Sequence, residues 1–382
     1  AQLIACVPGD EPALLDQVNA PSGAADDRLA EISLDANSVI LVGERAAGLS
    51  GAFSACLRLA ERTGARLAWV PRRAGDRGAV EAGCLPNLLP RGRPISDAAA
   101  RVDTQTTWGV GSLPSLEGRD GDEILIAAAD GELAALVVAG VDPNDFVDPQ
   151  AALEGLEAVN FMISVETRAS LVTERANVVL PVSLMHERAG TFVNWEGRRR
   201  SFGVVIERPN DLSDLRVLAA LADGLGTALG FRRAAEARAE FDELGTWEGD
   251  RAEAPDYPAG EPDEAAGSTV LLATWRLALD ESRALDGEPY LQATARAAEA
   301  RVSPNTAADA GITSVAIISN DRGSITLPAV LDSEMVDGVV WLPSRAPGLG
   351  VPQHLAASAG DLVTIGPAAE LAIVEDDMET GQ

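Results

Sequence analysis

Lysine is absent from this 382-residue chain, and all 30 of its basic residues are arginines. The 59 acidic residues outnumber them and give a formal net charge of -29. Because nucleic acids and anionic membrane surfaces repel a protein of this charge, we expect neither nucleic-acid binding nor direct docking on a membrane. The charge instead favours solubility and a partner that presents a basic surface.

Cysteine and histidine are scarce, which limits metal and redox chemistry. The cysteines Cys6, Cys56 and Cys84 are far apart, and the histidines His186 and His354 are isolated. An iron–sulfur cluster is usually held by four thiolates, and a zinc site needs clustered ligands. We therefore expect no metal site and no disulfide framework. GxSxG, HExxH and Cys–His patterns are also missing, so no residue is predicted to be catalytic.

Long apolar runs are missing as well. A membrane-spanning helix needs about 20 consecutive apolar residues, and none of this length is present. No basic segment followed by an apolar stretch, as in a signal peptide, follows Ala1. We expect a cytoplasmic protein, and the absence of an initial Met suggests a piece of a longer polypeptide.

The apolar residues that are present alternate between strand and helix patterns in the first two thirds of the chain. SVILVG (38–43), LSGAFSACLRLAERTG (49–64) and ARLAWVP (65–71) predict a buried strand, a helix and a second strand. Residues 72–122 show little periodicity and predict a long ordered excursion. Further strands are predicted in 131–140, 160–166 and 177–182, with helices at 149–159, 167–176, 213–230 and 232–244. This alternation predicts a doubly wound, mostly parallel α/β sheet over residues 1–245.

The character of the sequence changes after residue 245. Residues 246–268 are acidic and rich in Pro, Gly and Ala, which predicts a linker. Residues 269–382 contain short β-rich segments such as VLLATWR, SVAIIS and DLVTIG, with a short helix at 306–311. We therefore predict a β-barrel-like second domain over 269–382.

Two glycine-containing turns follow predicted strands. Gly43, Gly48 and Gly51 lie between a strand and a helix, where backbone N–H groups can bind a phosphate or a tight turn can form. The sequence Gly140-Val141-Asp142-Pro143 lies at the carboxyl end of a strand, where open α/β sheets bind ligands. A purely structural turn is the alternative interpretation at both places.

The segment HERAGTFVNWEGRRRSF (186–202) mixes glycines, aromatic residues and polar side chains. Such a mixture is typical of a loop that lines a binding cleft. Arg198, Arg199 and Arg200 form a basic run, to which an anion or an acidic partner could bind. The alternative is a solvated hairpin that is held by internal salt bridges.

At this segment the chain resembles the molybdopterin oxidoreductase superfamily. ERANVVLPVSLMHERAGTFVNWEGRRR (174–200), the turn at 140–143 and the Glu-Thr pair at 166–167 are similar to motifs of that superfamily. PNTAADAGI (304–312) and RGSITLPAVL (322–331) resemble its C-terminal double-psi barrel. Within that superfamily, the chain resembles the G subunit of actinobacterial NADH:quinone oxidoreductase (respiratory complex I). The likeness is carried by residues 42–94, the WEGRRR run and LATWRLALDESRALDGEPYL. It extends over nearly the whole chain, which corresponds to the C-terminal half of that subunit.

The resemblance implies a scaffold that derives from a molybdopterin enzyme and contains no cofactor of its own. Iron–sulfur clusters would be bound in an N-terminal half that is absent here, and the partners would be other peripheral-arm subunits of a membrane-bound complex. Positions matching the pterin lining, expected to be vestigial or structural, are Gly140, Asp142, Pro143, Glu187, Gly190, Thr191, Asn194, Gly197 and Arg198. Active relatives commonly have Asn where Asp142 stands, so a donor to the cofactor is replaced by an anion.

Two other interpretations remain open from the sequence. The chain could be a fragment of a catalytic molybdopterin-dependent oxidoreductase, similar to formate dehydrogenase, which would need bound pterin and a metal ligand. It could also be an independent nucleotide-binding α/β protein. Bound molybdenum or tungsten with pterin would favour the first of these over the scaffold.

Overall fold

The computed structural model describes residues 3–20, 27–71, 75–254, 256–258, 260 and 265–368. The chain forms two compact units. The first unit contains residues 1–40, 45–67 and 256–382, and the second contains residues 41–44 and 68–255. The first unit therefore groups residues 3–20 and 27–40 with residues 265–368, whereas the second is built mainly from residues 75–254.

Twelve α-helices lie within the described residues: α1 (Glu11–Gln17), α2 (Asp27–Ala30), α3 (Ala52–Thr63), α4 (Asp76–Glu81), α5 (Ala98–Trp108), α6 (Gly121–Ala129), α7 (Pro149–Ala158), α8 (Asp214–Gly224), α9 (Ala234–Glu243), α10 (Pro289–Gln292), α11 (Pro304–Asp309) and α12 (Val351–Leu355). The same residues contain seventeen strands: β1 (Val39–Gly43), β2 (Arg66–Val70), β3 (Leu88–Leu89), β4 (Arg93–Pro94), β5 (Ala135–Ala139), β6 (Phe161–Glu166), β7 (Val178–Pro181), β8 (Gly190–Val193), β9 (Arg199–Phe202), β10 (Thr269–Trp275), β11 (Ala300–Val302), β12 (Val315–Ser319), β13 (Ser324–Leu331), β14 (Val339–Pro343), β15 (Arg345–Ala346), β16 (Leu349–Gly350) and β17 (Leu362–Pro367).

A three-stranded parallel sheet, in the order β5-β6-β7, organises the second unit. Successive side chains of a strand point to opposite faces, so Met162 and Val165 of β6 face in opposite directions. Met162 packs with residues of α6 and α7, whereas Val165 packs with residues of α8. The predicted parallel sheet is therefore confirmed for these strands, and its central strand β6 is covered by helices on both faces.

Local sequence signals explain where α6 and α7 begin. The Asp120 carboxylate accepts from the Glu123 N–H at 2.9 Å, and the Glu123 carboxylate accepts from the Asp120 N–H at 3.0 Å. Asp148 caps α7 by accepting from two backbone N–H groups, and Pro149 occupies its first position. These caps satisfy N–H groups that would otherwise lack partners at a helix start.

Several predicted elements were wrong. Residues 72–122, predicted as a long ordered excursion, contain α4, β3, β4 and α5, which were not predicted individually. No helix forms over 167–176, because Ser170 and Thr173 side chains hydrogen-bond to each other's backbone N–H and stabilise turns instead. The helix predicted at 213–230 ends at Gly224. Strand β1 forms as predicted but is not buried, since Val39 and Leu41 are exposed.

A closed barrel in the order β10-β14-β11-β13-β12-β17 dominates the first unit and confirms the predicted β-barrel. Its core contains apolar residues from all six strands and from α11 and α12. Strand β11 escaped prediction because it has only three residues, Ala300–Val302. In the same unit, α1 and α3 pack around the buried side chains of Val18, Leu29 and Leu59.

The described residues of the predicted linker, 246–268, make contacts within each unit. Trp247 donates its indole N–H to the Asp250 carbonyl at 2.8 Å within the second unit. In the first unit, the Tyr257 N–H donates to the Ser54 hydroxyl at 3.0 Å, and Arg58 pairs with Asp256 at 3.0 Å. The domain boundaries 1–245, 246–268 and 269–382 stay a prediction, although the compact units group residues 1–40 with the barrel strands.

Candidate functional site

The carboxyl edge of the parallel sheet is the natural place for a binding site in this fold. Gly140 follows β5 with a φ of +63° and donates its N–H to the Val165 carbonyl of β6 at 3.2 Å. The Asp142 carboxylate accepts from the Asn144 N–H at 3.0 Å and so caps the short turn Pro143–Asp145, in which Pro143 is buried. Asp142 therefore has a local structural role.

Glu166 ends the central strand at the same edge and is buried. Its carboxylate accepts from the Thr167 N–H at 2.7 Å and from the Thr167 hydroxyl at 3.3 Å. An open depression of about 400 Å³ lies beside it, lined by Glu166, Thr167, Arg168, Ala169, Thr173, Glu174, Val179 and Pro181. Glu166 was not among the predicted site residues, although an acidic residue at the end of an apolar strand was the available signal.

Glu187 lies in the short turn Met185–Glu187 that follows β7, and its side chain is only 5% exposed. Its carboxylate accepts from the Leu184 N–H at 2.9 Å and pairs with the Arg208 guanidinium at 2.7 Å. A buried carboxylate is stable only when its charge is balanced in this way. Glu187 is therefore an internally neutralised anion.

The antiparallel hairpin β8–β9 contains three more of the predicted positions. Gly190 faces Phe202 across the hairpin, and a Cβ atom at Gly190 would lie 2.5 Å from the Phe202 ring. A side chain at this position would therefore collide with an aromatic ring that stacks on Phe192 at 5.0 Å. The Thr191 hydroxyl accepts from Arg238 of α9 at 3.3 Å. Asn194 directly follows β8 and begins the connecting turn.

The turn over residues 194–198 closes this hairpin. The Asn194 N–H donates to the Arg198 carbonyl at 3.1 Å, and the Asn194 side-chain oxygen accepts from the Arg198 N–H at 2.8 Å. Gly197 has a φ of +79°, a left-handed conformation that favours glycine. Arg198 pairs with Glu196 at 3.1 Å. Residues 190–202 thus form a hairpin with an ion pair inside its turn, and pterin binding at the nine positions stays a prediction.

Three arginines from distant parts of the second unit meet at the C-terminal end of α9; we call Arg91, Arg93 and Arg199 the arginine clamp. Arg93 is 2% exposed and donates to the carbonyls of Leu244 at 2.7 Å and Gly245 at 3.3 Å. It also pairs with Asp103 at 3.3 Å. The last carbonyls of a helix lack partners within the helix, so Arg93 satisfies groups that would otherwise be buried without donors.

The other two members of the arginine clamp bind the last turn of α9 from its surface. Arg91 donates to the Phe241 carbonyl at 3.0 Å and pairs with Asp242 at 3.0 Å, and its guanidinium lies 4.4 Å from the Phe241 ring centroid. Arg199 also pairs with Asp242. The hydrogen bond from Arg199 and the nearby positive charges lower the pKa of the Asp242 carboxyl below its usual value.

Metal ligands and apolar helices are both sparse in the described part of the chain. No group of three or more His, Cys, Asp or Glu side chains that could hold a metal ion occurs there. The helices among the same residues are all too short or too polar to cross a membrane.

Comparison with known proteins identifies the relatives of the chain. No protein-family model matches it. The G subunit of NADH-quinone oxidoreductase from Mycobacterium tuberculosis is 49% identical over 371 residues, which cover 96% of this chain and 45% of that protein. The corresponding G subunit from Streptomyces coelicolor is 42% identical over 387 residues, or 99% of this chain and 46% of that protein.

A solved structure, acetylene hydratase from Pelobacter acetylenicus, aligns with a TM-score of 0.48 and 14% identity, covering 70% of this chain and 49% of that chain. The resemblance to the actinobacterial G subunit is confirmed by the two curated relatives from Mycobacterium and Streptomyces. Over nearly its whole length, this chain is similar to the G subunits of NADH-quinone oxidoreductase, and it spans somewhat less than half of the curated relatives that it matches.

Proposed function

We propose that this chain is a structural and interaction part of the G subunit in the peripheral arm of a proton-pumping NADH:quinone oxidoreductase. The chain holds neighbouring peripheral-arm subunits in place, and iron–sulfur clusters bound outside the matched region carry the electrons. The complex lies on the cytoplasmic face of the plasma membrane. The names of the 42% and 49% identical relatives support the assignment to this complex.

The arginine clamp is the observation that carries the structural role. Its members come from two segments on which the likeness to the G subunit rests, residues 42–94 and 195–200. Arg91, Arg93 and Arg199 direct their guanidinium groups to α9 and its flanking residues rather than into a cleft. These three arginines thus serve to fix a helix.

The side chains at the predicted pterin positions do not fit an anionic dinucleotide. A phosphate group needs hydrogen-bond donors and positive charge, as backbone N–H groups and arginines provide. Asp142 and Glu187 supply carboxylates, and both already accept hydrogen bonds from the surrounding chain. Arg198 pairs with Glu196, and Thr191 accepts from Arg238. We infer that these positions now stabilise turns and the β8–β9 hairpin.

The proposal also assigns an evolutionary origin to each part of the chain. Residues 1–245 derive from the α/β part of a molybdopterin oxidoreductase, and residues 269–382 derive from its double-psi barrel, with residues 246–268 between them. The parallel sheet β5-β6-β7 and the closed six-stranded barrel are the features that support this derivation.

The proposal is tested in a complete G subunit carrying this chain, assembled into the oxidoreductase complex. We expect Arg93→Met to lower the amount of assembled complex while the turnover of each assembled complex stays unchanged. Asp142→Asn, which restores the residue common in active molybdopterin enzymes, should change neither quantity. Loss of turnover in fully assembled Asp142→Asn complex would contradict a purely structural role.

Analysis of the purified chain for molybdenum, tungsten and released pterin distinguishes the alternative. The scaffold proposal predicts that none of them co-purifies. Stoichiometric molybdenum or tungsten with pterin would show a catalytic molybdopterin-dependent oxidoreductase instead, and the nine positions would then be a cofactor site.

A further inference from the structure

One face of the parallel sheet in the second unit is left uncovered at strand β5. The register pairs Ala135 with Phe161, Val137 with Ile163 and Ala139 with Val165, so these side chains share a face. We call the exposed members the bare face, which consists of Ala135, Val137, Ala139 and Phe161. Val137 is 52% exposed and Phe161 is 43% exposed.

On the neighbouring strand β6, side chains on both faces of the sheet are buried. Met162 and Val165 point to opposite faces of β6, and both are fully buried. Strands of parallel sheets are normally covered on both faces and therefore consist of continuous apolar runs. Strand β5, with the sequence Ala-Leu-Val-Val-Ala, has such a run, but only Val138 on its α6 and α7 side is buried.

The outer edge of β5 is also open. Among the described residues, β6 is the only strand that pairs with β5. Exposed edge strands in soluble proteins usually carry charged residues, prolines or bulges, which prevent pairing with other chains. Residues 135–139 contain no charged residue and no proline, although charged residues make up 23% of the chain. The edge thus lacks the usual protection.

We propose that the bare face and the open edge of β5 bind an apolar β-strand from the part of the complete G subunit that this chain does not match. The identity of the partner rests on the proposed function. The relatives supply enough polypeptide, because the 371 matched residues form only 45% of the M. tuberculosis protein. Backbone hydrogen bonds along the edge give affinity, and apolar contacts with the bare face give specificity.

A second copy of this chain is a poorer occupant of the same surface. Two copies would bring two net charges of -29 together, and their mutual repulsion opposes a dimer. A strand from the same polypeptide also binds at a high effective concentration, which requires no additional affinity.

The experiment compares the isolated chain with a joined polypeptide, in which this chain replaces the matching part of the M. tuberculosis relative. Both carry Cys84→Ser, which removes the exposed native cysteine. A maleimide reagent then measures the accessibility of a cysteine introduced by Val137→Cys on the bare face. The matched control is Ile126→Cys on α6, which is 61% exposed and belongs to a helix that packs on the opposite side of the sheet.

We expect Val137→Cys to react at least about tenfold more slowly in the joined polypeptide, because labelling then requires local opening of the added strand. Ile126→Cys should react at the same rate in both. Equal labelling of Val137→Cys in both proteins would overturn the proposal. Protection of Val137→Cys in the isolated chain would also overturn the proposal. If light scattering then shows a monomer, residues of the chain itself cover the bare face; if it shows a dimer, a second copy covers it.

The same joined polypeptide separates this inference from the proposed function. Protection of Val137→Cys without assembly into the oxidoreductase complex would support the docking of the strand but contradict the scaffold role. Assembly into the complex with an unprotected Val137→Cys would support the scaffold role but contradict the docking of the strand.

Discussion

Replacement of Arg93 by Met removes the buried guanidinium of the arginine clamp while it keeps an unbranched side chain of similar volume. In the wild-type protein, Arg93 donates to the carbonyls of Leu244 and Gly245 and pairs with Asp103. The thioether of methionine is not a donor, so the carbonyls at the end of α9 lose their partner. The helix should therefore open more readily at its C-terminal end.

The magnitude follows from the number of groups left without a donor. A buried acceptor without a partner costs about 1–3 kcal/mol, and two carbonyls are affected here. The pairing with Asp103 adds little, because that carboxylate is half exposed. We expect the free energy of local opening of α9 to fall by about 2–6 kcal/mol, a large share of the roughly 5–15 kcal/mol that stabilises a typical domain.

Hydrogen exchange of the α9 amides, followed by mass spectrometry, measures this quantity directly. Global unfolding is a poorer assay, because a chain with two compact units need not unfold in one step. Arg198→Met is the matched control, since Arg198 is exposed and its pairing with Glu196 should contribute less than about 1 kcal/mol. Arg93→Lys should fall between the two, because one ammonium group cannot reproduce the planar fork.

Unchanged exchange of the α9 amides in Arg93→Met would refute the reasoning. It would mean that water satisfies the carbonyls of Leu244 and Gly245, so that the buried guanidinium adds nothing to the helix end. Equal destabilisation by Arg198→Met would also refute it, since the loss would then follow from removing any arginine.

Three further predictions concern other parts of the chain. Gly190→Ala should destabilise the β8–β9 hairpin by about 1–3 kcal/mol, measured by hydrogen exchange of its amides, because the added Cβ meets an aromatic ring. Gly203→Ala, with open space around it, should change this stability by less than about 0.5 kcal/mol, and equal effects would contradict the packing argument. Burial and nearby acidic residues raise the pKa of the Cys6 thiol to about 11, so at pH 8 a disulfide reagent should modify exposed Cys84 first, and equal rates would show that Cys6 is accessible. The pKa of the Asp242 carboxyl is lower in the folded protein than its ordinary value of 3.8, so its stabilising contribution is complete above that value and is lost as the pH falls through the lowered pKa. Asp242→Asn should therefore weaken the loss of stability below about pH 4. An acid-unfolding profile that the substitution leaves unchanged would contradict this stabilising role.

Elements with strong local signals could be predicted from the sequence. Strands β6 and β7 are mostly apolar, and α7 begins with an aspartate cap followed by Pro149. Helix α5 escaped prediction because its sequence, AAARVDTQTTW, lacks an apolar stripe with helical spacing. Its formation depends on the Asp97 cap and on helix-favouring alanines, which give a weaker signal than periodicity.

The candidate site shows a different limit of sequence reasoning. A hairpin within 186–202 was one of two interpretations that the sequence left open, and the paired strands form over residues 190–202. The arginine clamp could not be predicted, because Arg93 binds carbonyls about 150 residues away in the chain. Nothing in the pattern around Arg93 distinguishes it from exposed arginines such as Arg198. Such long-range pairings become visible only when the second unit is folded.

Closure of the barrel sets an order in which the two units can form during synthesis. Strand β17 pairs with both β10 and β12, so the ring stays open until residues 362–367 have been made. The first unit also groups residues 3–20 and 27–40 with the barrel strands, whereas the described part of the second unit ends at residue 254. A ribosome translating this chain therefore produces the second unit first. The N-terminal segment can complete its contacts with the first unit only after the barrel strands have been synthesised. The exposed apolar strand of the second unit is consequently present before the barrel has formed.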